Sequence, residues 1–290
     1  MDGVVAIDKP AGFTSHDVVA KVRRILSNRR AGHAGTLDPD ATGVLVVAVG
    51  QATRLLPWLD LEPKRYVARA AFGIATSTED ASGTVIAEAD AAALDDATLR
   101  AVLPRFIGRF QQIPPMVSAL HHEGKRLHEL ARAGVVVERA PRTVEIRSIA
   151  MSDFTPGARA GCTLEVVCGG GTYIRTLCAD LGAAVGLPAH MESLRRTGVG
   201  AFDLDDAVPL AELAPDRVLS MESVLAHLPS LPLDRETAAR VDHGNDFPDP
   251  AGFEPGAVVV LLQEGCLKAL ARAGDGRLQP FRVFPVEVAS

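Results

Sequence analysis

The stretch RAGHAGTLDPDATG, residues 30–43, sets two carboxylates, Asp38 and Asp40, among glycines and threonines, between a basic segment and an apolar run. A loop of that composition, held by regular structure on both sides, is where a scaffold presents a reactive group to a cleft. A carboxylate placed there can serve as nucleophile or general base. Asp-Pro is also a common turn dipeptide, and Asp40 is equally available, so spacing alone leaves Asp38 open between turn former and catalytic acid. His33, Thr36 and Thr42 stand open in the same way, as groups that brace the loop or that meet a ligand.

Two more residues bear on chemistry. Arg175 falls in the first turn of a helix expected to open at Thr172, where the positive end of the helix dipole disfavours a cation. A buried carboxylate partner would compensate and would be kept ionised in return; without one, Arg175 is a surface arginine. Tyr66, one of two tyrosines, lies on a strand, either as an ordinary strand aromatic or as a platform on which a base stacks. Cys162, Cys168, Cys178 and Cys266 form no C-x-x-C pair and have no histidines at zinc-ligand spacing, so neither a disulfide framework nor a metal site is expected. A carboxylate-pair hydrolase needs a second acid across the scissile bond, and none is evident.

The elements that must position these groups read as follows. Residues 4–7 form a short strand ended by the Lys9-Pro10-Ala11-Gly12 turn, and a helix capped at Thr14 or Ser15 follows, with Val18, Val19, Val22, Ile25 and Leu26 on one face. Residues 32–43 are a polar loop before a buried strand at 44–49. A strand at 66–72 precedes an acidic stretch, 79–96, which covers a loop and the start of a helix reaching Ile107 and receives no function. The basic, His-rich segment 118–142 is an excursion from the core; strands at 143–149 and 163–168 lead into the helix from Thr172 to Ala184. Strands and helices mix without regular βαβ alternation, which indicates an α+β fold. Prolines 209, 215, 229 and 232 mark a linker, with a domain boundary near Pro229. Beyond it come a helix at 235–241 and strands at 257–262, 266–271 and 281–284, a unit too small to stand alone.

The net charge of -6 over 290 residues argues by itself against a nucleic-acid partner. The distribution reverses that reading, because residues 203–290 hold 15 of the 36 acidic and only 7 of the 30 basic residues, leaving the first two-thirds slightly positive. Lys21, Arg23, Arg24, Arg29 and Arg30 cluster there, as do Lys125, Arg126, Arg132, Arg139, Arg142 and Arg147. These are either solvated faces or phosphate contacts. The N-terminus lacks a secretory pattern and no apolar run reaches spanning length, which places the chain in the cytoplasm with no membrane partner.

Taken in order, DKPAGFTSHDVV (8–19), RAGHAGTLDPDATGVL (30–45), KRYVARAAFG (64–73), PPMVSALHHEGKRLHELARAG (114–134), GGGTYIRTLCADLG (169–182) and SLRRTGVGAF (193–202) resemble the TruB family of pseudouridine synthases. The resemblance implies a mixed, largely antiparallel catalytic sheet in residues 1–228. It also implies an RNA-clamping insertion at about 118–142 and a small β-rich PUA-like RNA-binding domain in residues 229–290. The implied reaction isomerises uridine 55 of the tRNA T-loop to pseudouridine, without guide RNA, cofactor or metal. The tRNA T-arm is the partner, no protein partner is needed, and the chain acts as a monomer.

By the same resemblance Asp38 is the catalytic aspartate, Tyr66 stacks on the target uracil and Arg175 pairs with Asp38. His33 fills space left in the RNA, Leu194 lines the base pocket, and Lys9, Lys64, Lys125 and Arg126 contact RNA, with Lys21, Arg23 and Arg24 on phosphates. His128 departs from the family's G-K-x-x-Y pattern, which removes an aromatic there. Rival readings are a guide-RNA-dependent rRNA modifier of the same family and a tRNA-binding folding factor without chemistry; the set Asp38, Tyr66 and Arg175 favours live chemistry.

Overall fold

The computed structural model describes residues 1–116, 121–122, 125–126, 137 and 139–284. Strand β1, Gly3–Lys9, is apolar on both faces because it ends between two packed layers. Helix α1, Ser15–Ile25, starts on a capping box in which Asp17 N donates to Thr14 Oγ1 (3.1 Å) and Thr14 N to Asp17 Oδ2 (2.9 Å). Its Val18, Val19 and Val22 recur at helical spacing and pack on Val5, Ile7, Leu45 and Val47.

Strand β2, Ala31–Ala34, pairs antiparallel with β3, Thr42–Val49. The loop expected over 32–43 is therefore confined to 35–41: the small buried Ala31 and Ala34 let the chain lie along the edge of β3. Next come β4, Lys64–Phe72, β5, Ile74–Thr76, and β6, Val85–Glu88. The acidic stretch thus contains a strand, and the helix after it, α2, Asp96–Val102, tightens into a 3-10 turn at Leu103–Phe106 rather than continuing to Ile107, since Pro104 cannot donate in its ladder. Strand β7, Gly108–Gln112, precedes the two-residue strands β8, His121–His122, and β9, Lys125–Arg126. Most of the excursion at 118–142, with His128 and the side chains of Lys125 and Arg126, lies outside the described residues.

Strands β10, Arg142–Thr155, and β11, Gly161–Cys168, then helix α3, Ile174–Ala184, and strands β12, Ala189–Val199, β13, Phe202–Asp203, and β14, Val208–Pro209, complete the large sheet. Its order is β14-β1-β3-β12-β4-β11-β10-β7, with β2 beside β3 and β13 beside β12. Within this sheet, among the described residues, only β1 with β14 and β3 with β12 run parallel, so it is mixed and largely antiparallel within an α+β fold. At the β3–β12 seam Gly43 faces Arg196 with φ of 98°, and a Cβ there would lie 2.1 Å from the Arg196 carbonyl oxygen; no other residue fits. Helices α2 and α3 cover one face, Leu99, Leu177 and Leu181 packing on Ala68, Ala70, Phe72 and Leu164.

The C-terminal segment builds a second sheet from β15, Ser230–Pro232, β16, Phe247–Pro248, β17, Val258–Gln263, β18, Cys266–Gly274, and β19, Arg277–Val283, with α4, Arg235–Asp242, beside it. Val260, Leu267, Leu270 and Phe284 share one core with Val4, Val44, Val46, Leu55 and Phe202. That shared burial gives a small unit the apolar contacts it lacks alone.

Candidate active site

Asp38 both shapes its loop and faces a pocket. Asp38 opens a turn, Ala41 N donating to its carbonyl at 3.2 Å, while its side chain reaches into a pocket. The turn is fastened from outside. Buried Ser15 accepts from Leu37 N (2.9 Å) and donates to Leu37 O (3.1 Å), and Gly12 N donates to Pro39 O (3.0 Å). Lys9 is fully buried and its Nζ donates to Pro10 O, Phe13 O and Pro39 O at 3.0, 2.6 and 2.8 Å. Burial brings its pKa down to about 8 against the opposing charges of Asp40 and Asp38. The expectation of an RNA contact at Lys9 is therefore corrected: three carbonyl acceptors hold it inside, where it braces the loop of Asp38. Asp40 is exposed and does not line the pocket, so of the two acids only Asp38 faces it.

Arg175 sits in the first turn of α3, whose N-terminus has no side-chain cap of its own. Gln112 of β7, 1% exposed, replaces one: it accepts from Tyr173 N (2.9 Å) and donates to Tyr173 O (3.0 Å). From that anchored turn Arg175 Nε lies 3.2 Å from Asp38 Oδ2, and Nη1 lies 3.2 Å from Asp80 Oδ2 and 3.3 Å from Thr78 O. The cation that the helix dipole disfavours thus stands between two carboxylates. Asp80 is itself fixed, accepting from Thr78 Oγ1 (2.7 Å), Ser82 N (3.0 Å) and Ser82 Oγ (2.6 Å). Burial opposes its charge, yet the bonds from Ser82 and Thr78 together with Arg175 hold its pKa below the usual carboxylate value.

Asp38 differs from its neighbour. Desolvation in the recess outweighs the Arg175 charge, and Asp80 and Asp40 add repulsion, so its pKa is raised. Arg175 limits this rise without abolishing it, which modifies the expectation that the pair simply keeps the acid ionised. Behind Arg175, Thr176 Oγ1 donates to Glu79 Oε2 (2.6 Å), and burial with Glu79 nearby pushes Asp180 up to about 6.

The pocket encloses about 250 Å3 and is lined by residues 35–38, Lys64, Tyr66, residues 171–175, Leu194 and Arg196. Its mixture of aromatic and aliphatic side chains with converging charges suits a flat polar heterocycle. Asp38, Tyr66, Lys64, Arg175 and Leu194, far apart in sequence, meet here. Burial raises the Tyr66 pKa, so its phenol stays protonated beside Arg196. His33 does not line the pocket: it lies on β2, edge-on to His16 at 5.3 Å, with a buried Nδ1 that has no hydrogen-bond partner among the described residues and a pKa lowered by burial. Lys21 lies over the Phe13 ring at 4.9 Å and Arg23 donates to Ala31 O at 2.6 Å, so of the three α1 cations expected on phosphates only Arg24 has neither tie. Lys125 and Arg126 are described in backbone alone.

Sequence reasoning missed Asp80, Tyr173 and Arg196. Tyr173 and Arg196 lay within motifs already singled out, GGGTYIRTLCADLG and SLRRTGVGAF, whereas Asp80 carried only the signal of a Thr-Ser-Asp-Gly loop. Among the described residues no group of three His, Cys, Asp or Glu side chains gathers at metal-binding distance, and no helix is long and apolar enough to cross a membrane.

Residues 23–174 match the model of the TruB family pseudouridylate synthase N-terminal domain, and residues 175–233 that of the tRNA pseudouridylate synthase B C-terminal domain. A tRNA pseudouridine synthase B of Synechococcus sp. is 47% identical over 91% of this chain and 90% of its own. That of Symbiobacterium thermophilum is 49% identical over 84% and 82%. Among solved structures, a Cbf5-Nop10-Gar1 complex superposes with a TM-score of 0.70 at 28% identity, covering 97% of this chain and 84% of the other. With family models over residues 23–233 and a relative 47% identical over 91% of this chain's length, the chain belongs to the TruB family of pseudouridylate synthases.

Proposed function

We propose that this chain isomerises uridine 55 in the T-loop of tRNA to pseudouridine, without a guide RNA, through Asp38 acting on a uridine flipped out of the loop stack. Family membership makes it a tRNA pseudouridine synthase, an isomerase. The position, the acid and the flipping are the proposal. One observation carries it: the Asp38–Arg175 ion pair at 3.2 Å in a pocket sized for one base, with Tyr66 beside it.

The reaction breaks the N1–C1′ bond, turns the uracil and joins C5 to C1′. Attack at the sugar, attack at the base and removal of the ribose 2′ proton all require an ionised carboxylate at the nucleotide. Asp38 is the acid of the pocket that remains partly open, its side chain 38% exposed against 16% for Asp80. A base inside the stack cannot reach such a recess, so the target leaves the stack at a cost of a few kcal/mol, and Tyr66 replaces the lost stacking. Tyr66, Leu194 and Lys64 surround the base; His33, on the neighbouring strand, fills the space left in the loop. The excursion at 118–142, with Lys125 and Arg126, closes over the T-arm, and the C-terminal sheet serves as a PUA-like RNA-binding unit from about residue 229. Identities of 47% and 49% to relatives named for tRNA, against 28% to the Cbf5 complex, support the guide-independent reading. The chain acts as a cytoplasmic monomer.

The test is to incubate an unmodified tRNA transcript with the protein alone and map pseudouridine by sequence position. Conversion at position 55 is expected. Conversion confined to other positions, or dependent on added guide RNA, would overturn the proposal.

A further inference from the structure

The pocket holds, besides the Arg175–Asp38 pair, two cations, Lys64 and Arg196, with no carboxylate in ion-pair distance among the described residues. Lys64 opens β4 and lies on the face of Tyr66, two residues on. It lines the pocket, and among the described residues its ammonium has neither a hydrogen-bond acceptor nor an acid within ion-pair distance. Glu62 lies close by, beyond ion-pair distance, and its Oε1 accepts from Gly170 N at 2.8 Å. Arg196, 1% exposed, donates from Nε to Val44 O (2.8 Å) and from Nη2 to Gly35 O (2.9 Å). Its guanidinium also donates to the Tyr66 hydroxyl. Both cations converge on the loop of Asp38, since a Cβ built on Gly35 would lie 3.5 Å from Arg196 Nη1 and 3.6 Å from Lys64 Nζ. Two like charges drawn together out of water are unfavourable unless a ligand brings negative charge to meet them.

The proposed reaction brings such charge. When N1–C1′ breaks, the bonding pair leaves with the uracil, whose negative charge spreads over N1, O2 and O4. C5 then bonds to C1′ and gives up its proton, and N1 takes one, so the isomerisation balances with no oxidant. We propose that Lys64 is a catalytic residue of this pocket, its ammonium, with the Arg196 guanidinium beside it, taking the negative charge of the uracil as it separates from C1′. This rests on the reading that Asp38 opens the glycosidic bond of a flipped uridine. A fixed cation aimed at charge that develops in the reaction acts on rate more than on binding.

The experiment compares wild type, Lys64→Met and Lys64→Arg by single-turnover rate at saturating enzyme and by Kd for the same tRNA. Lys64→Met is expected to slow the saturated rate by about 100-fold with Kd within about twofold, and Lys64→Arg to recover at least about tenfold. The Lys64 pKa is lowered by burial and by Arg196, against weaker pulls from Cys168 and Glu62, so the wild-type rate falls on the alkaline side and Lys64→Arg moves that limb upward. An unchanged rate with weaker binding, and a salt dependence reduced by about one phosphate, would assign Lys64 to the backbone and overturn the proposal. Unchanged rate and Kd, or an arginine variant as slow as the methionine one, would also overturn it. Asp38→Asn run in parallel separates the two failures: if it still converts uridine, the underlying reading fails whatever Lys64 does.

Discussion

Replacing Asp80 by Asn removes one charge from the Asp38–Arg175–Asp80 chain while keeping the shape of the side chain. Arg175 Nη1 stands 3.2 Å from Asp80 Oδ2, and at an effective dielectric of about 20 that pair attracts with roughly 5 kcal/mol before desolvation is subtracted. With Asp80 neutral, the guanidinium turns to Asp38 alone, and its longer second contact, Nη2 to Oδ1 at 3.5 Å, closes into a two-point grip on the oxygens that must reach the nucleotide. A displacement of about 1 Å in a reacting group costs on the order of 100-fold in rate, or ~2.7 kcal/mol. The expected result is a single-turnover rate about 100-fold below wild type, followed by release of tritium from C5-labelled uridine, with Kd for tRNA nearly unchanged. A second readout separates positioning from general loosening. Asp80 is one of the charges that raise the Asp38 pKa, so its neutralisation moves the acid limb of the pH–rate profile to lower pH. A folded Asp80→Asn protein with a rate within threefold of wild type and an unmoved acid limb would refute the reasoning.

Two further outcomes bear on the scaffold. Lys9→Met strands the carbonyls of Pro10, Phe13 and Pro39 in a buried site and is expected to lower stability by about 3 kcal/mol, read as a lower denaturation midpoint, with slower turnover because the Asp38 turn loses its brace. Asp180, with a pKa raised to about 6, contributes stability below the ordinary carboxylate range that is lost as pH rises through 6. Asp180→Asn should therefore stabilise the protein at pH 7.5 by about 1 kcal/mol, discounted for partial exposure, and the gain should vanish near pH 3.5; a gain equal at both values would contradict the assignment.

What was legible in the sequence was local. The α1 cap, read as Thr14 or Ser15 and made by Thr14, and the α1 stripe of valines follow from residues within one or two turns. The apolar run of β3 announced a buried strand, yet nothing in it disclosed that β12 would lie parallel beside it; Gly43, whose absent side chain makes that approach feasible, was a hint without an address. The site was legible in part for the same reason. Arg175 looked misplaced against the helix dipole, which pointed to a carboxylate partner, and Asp38 is one. Asp80, 95 residues away in an acidic loop that earned no role, is the other, and only the fold brings it there. Lys9 shows the opposite failure: a lysine in a motif shared with an RNA-modifying family was taken for an RNA contact, and its true acceptors are backbone carbonyls that no side-chain pattern reveals.

The central claim is that Asp38 carries the chemistry, and Asp38→Asn tests it most directly. Arg175 keeps Asp80 and Thr78 as partners in that variant, so the fold and the tRNA site persist and a loss of activity reports on the carboxylate itself. The account predicts that the variant binds unmodified tRNA with a Kd near that of wild type and forms no pseudouridine at position 55. Pseudouridine at that position at a rate comparable to wild type would contradict it.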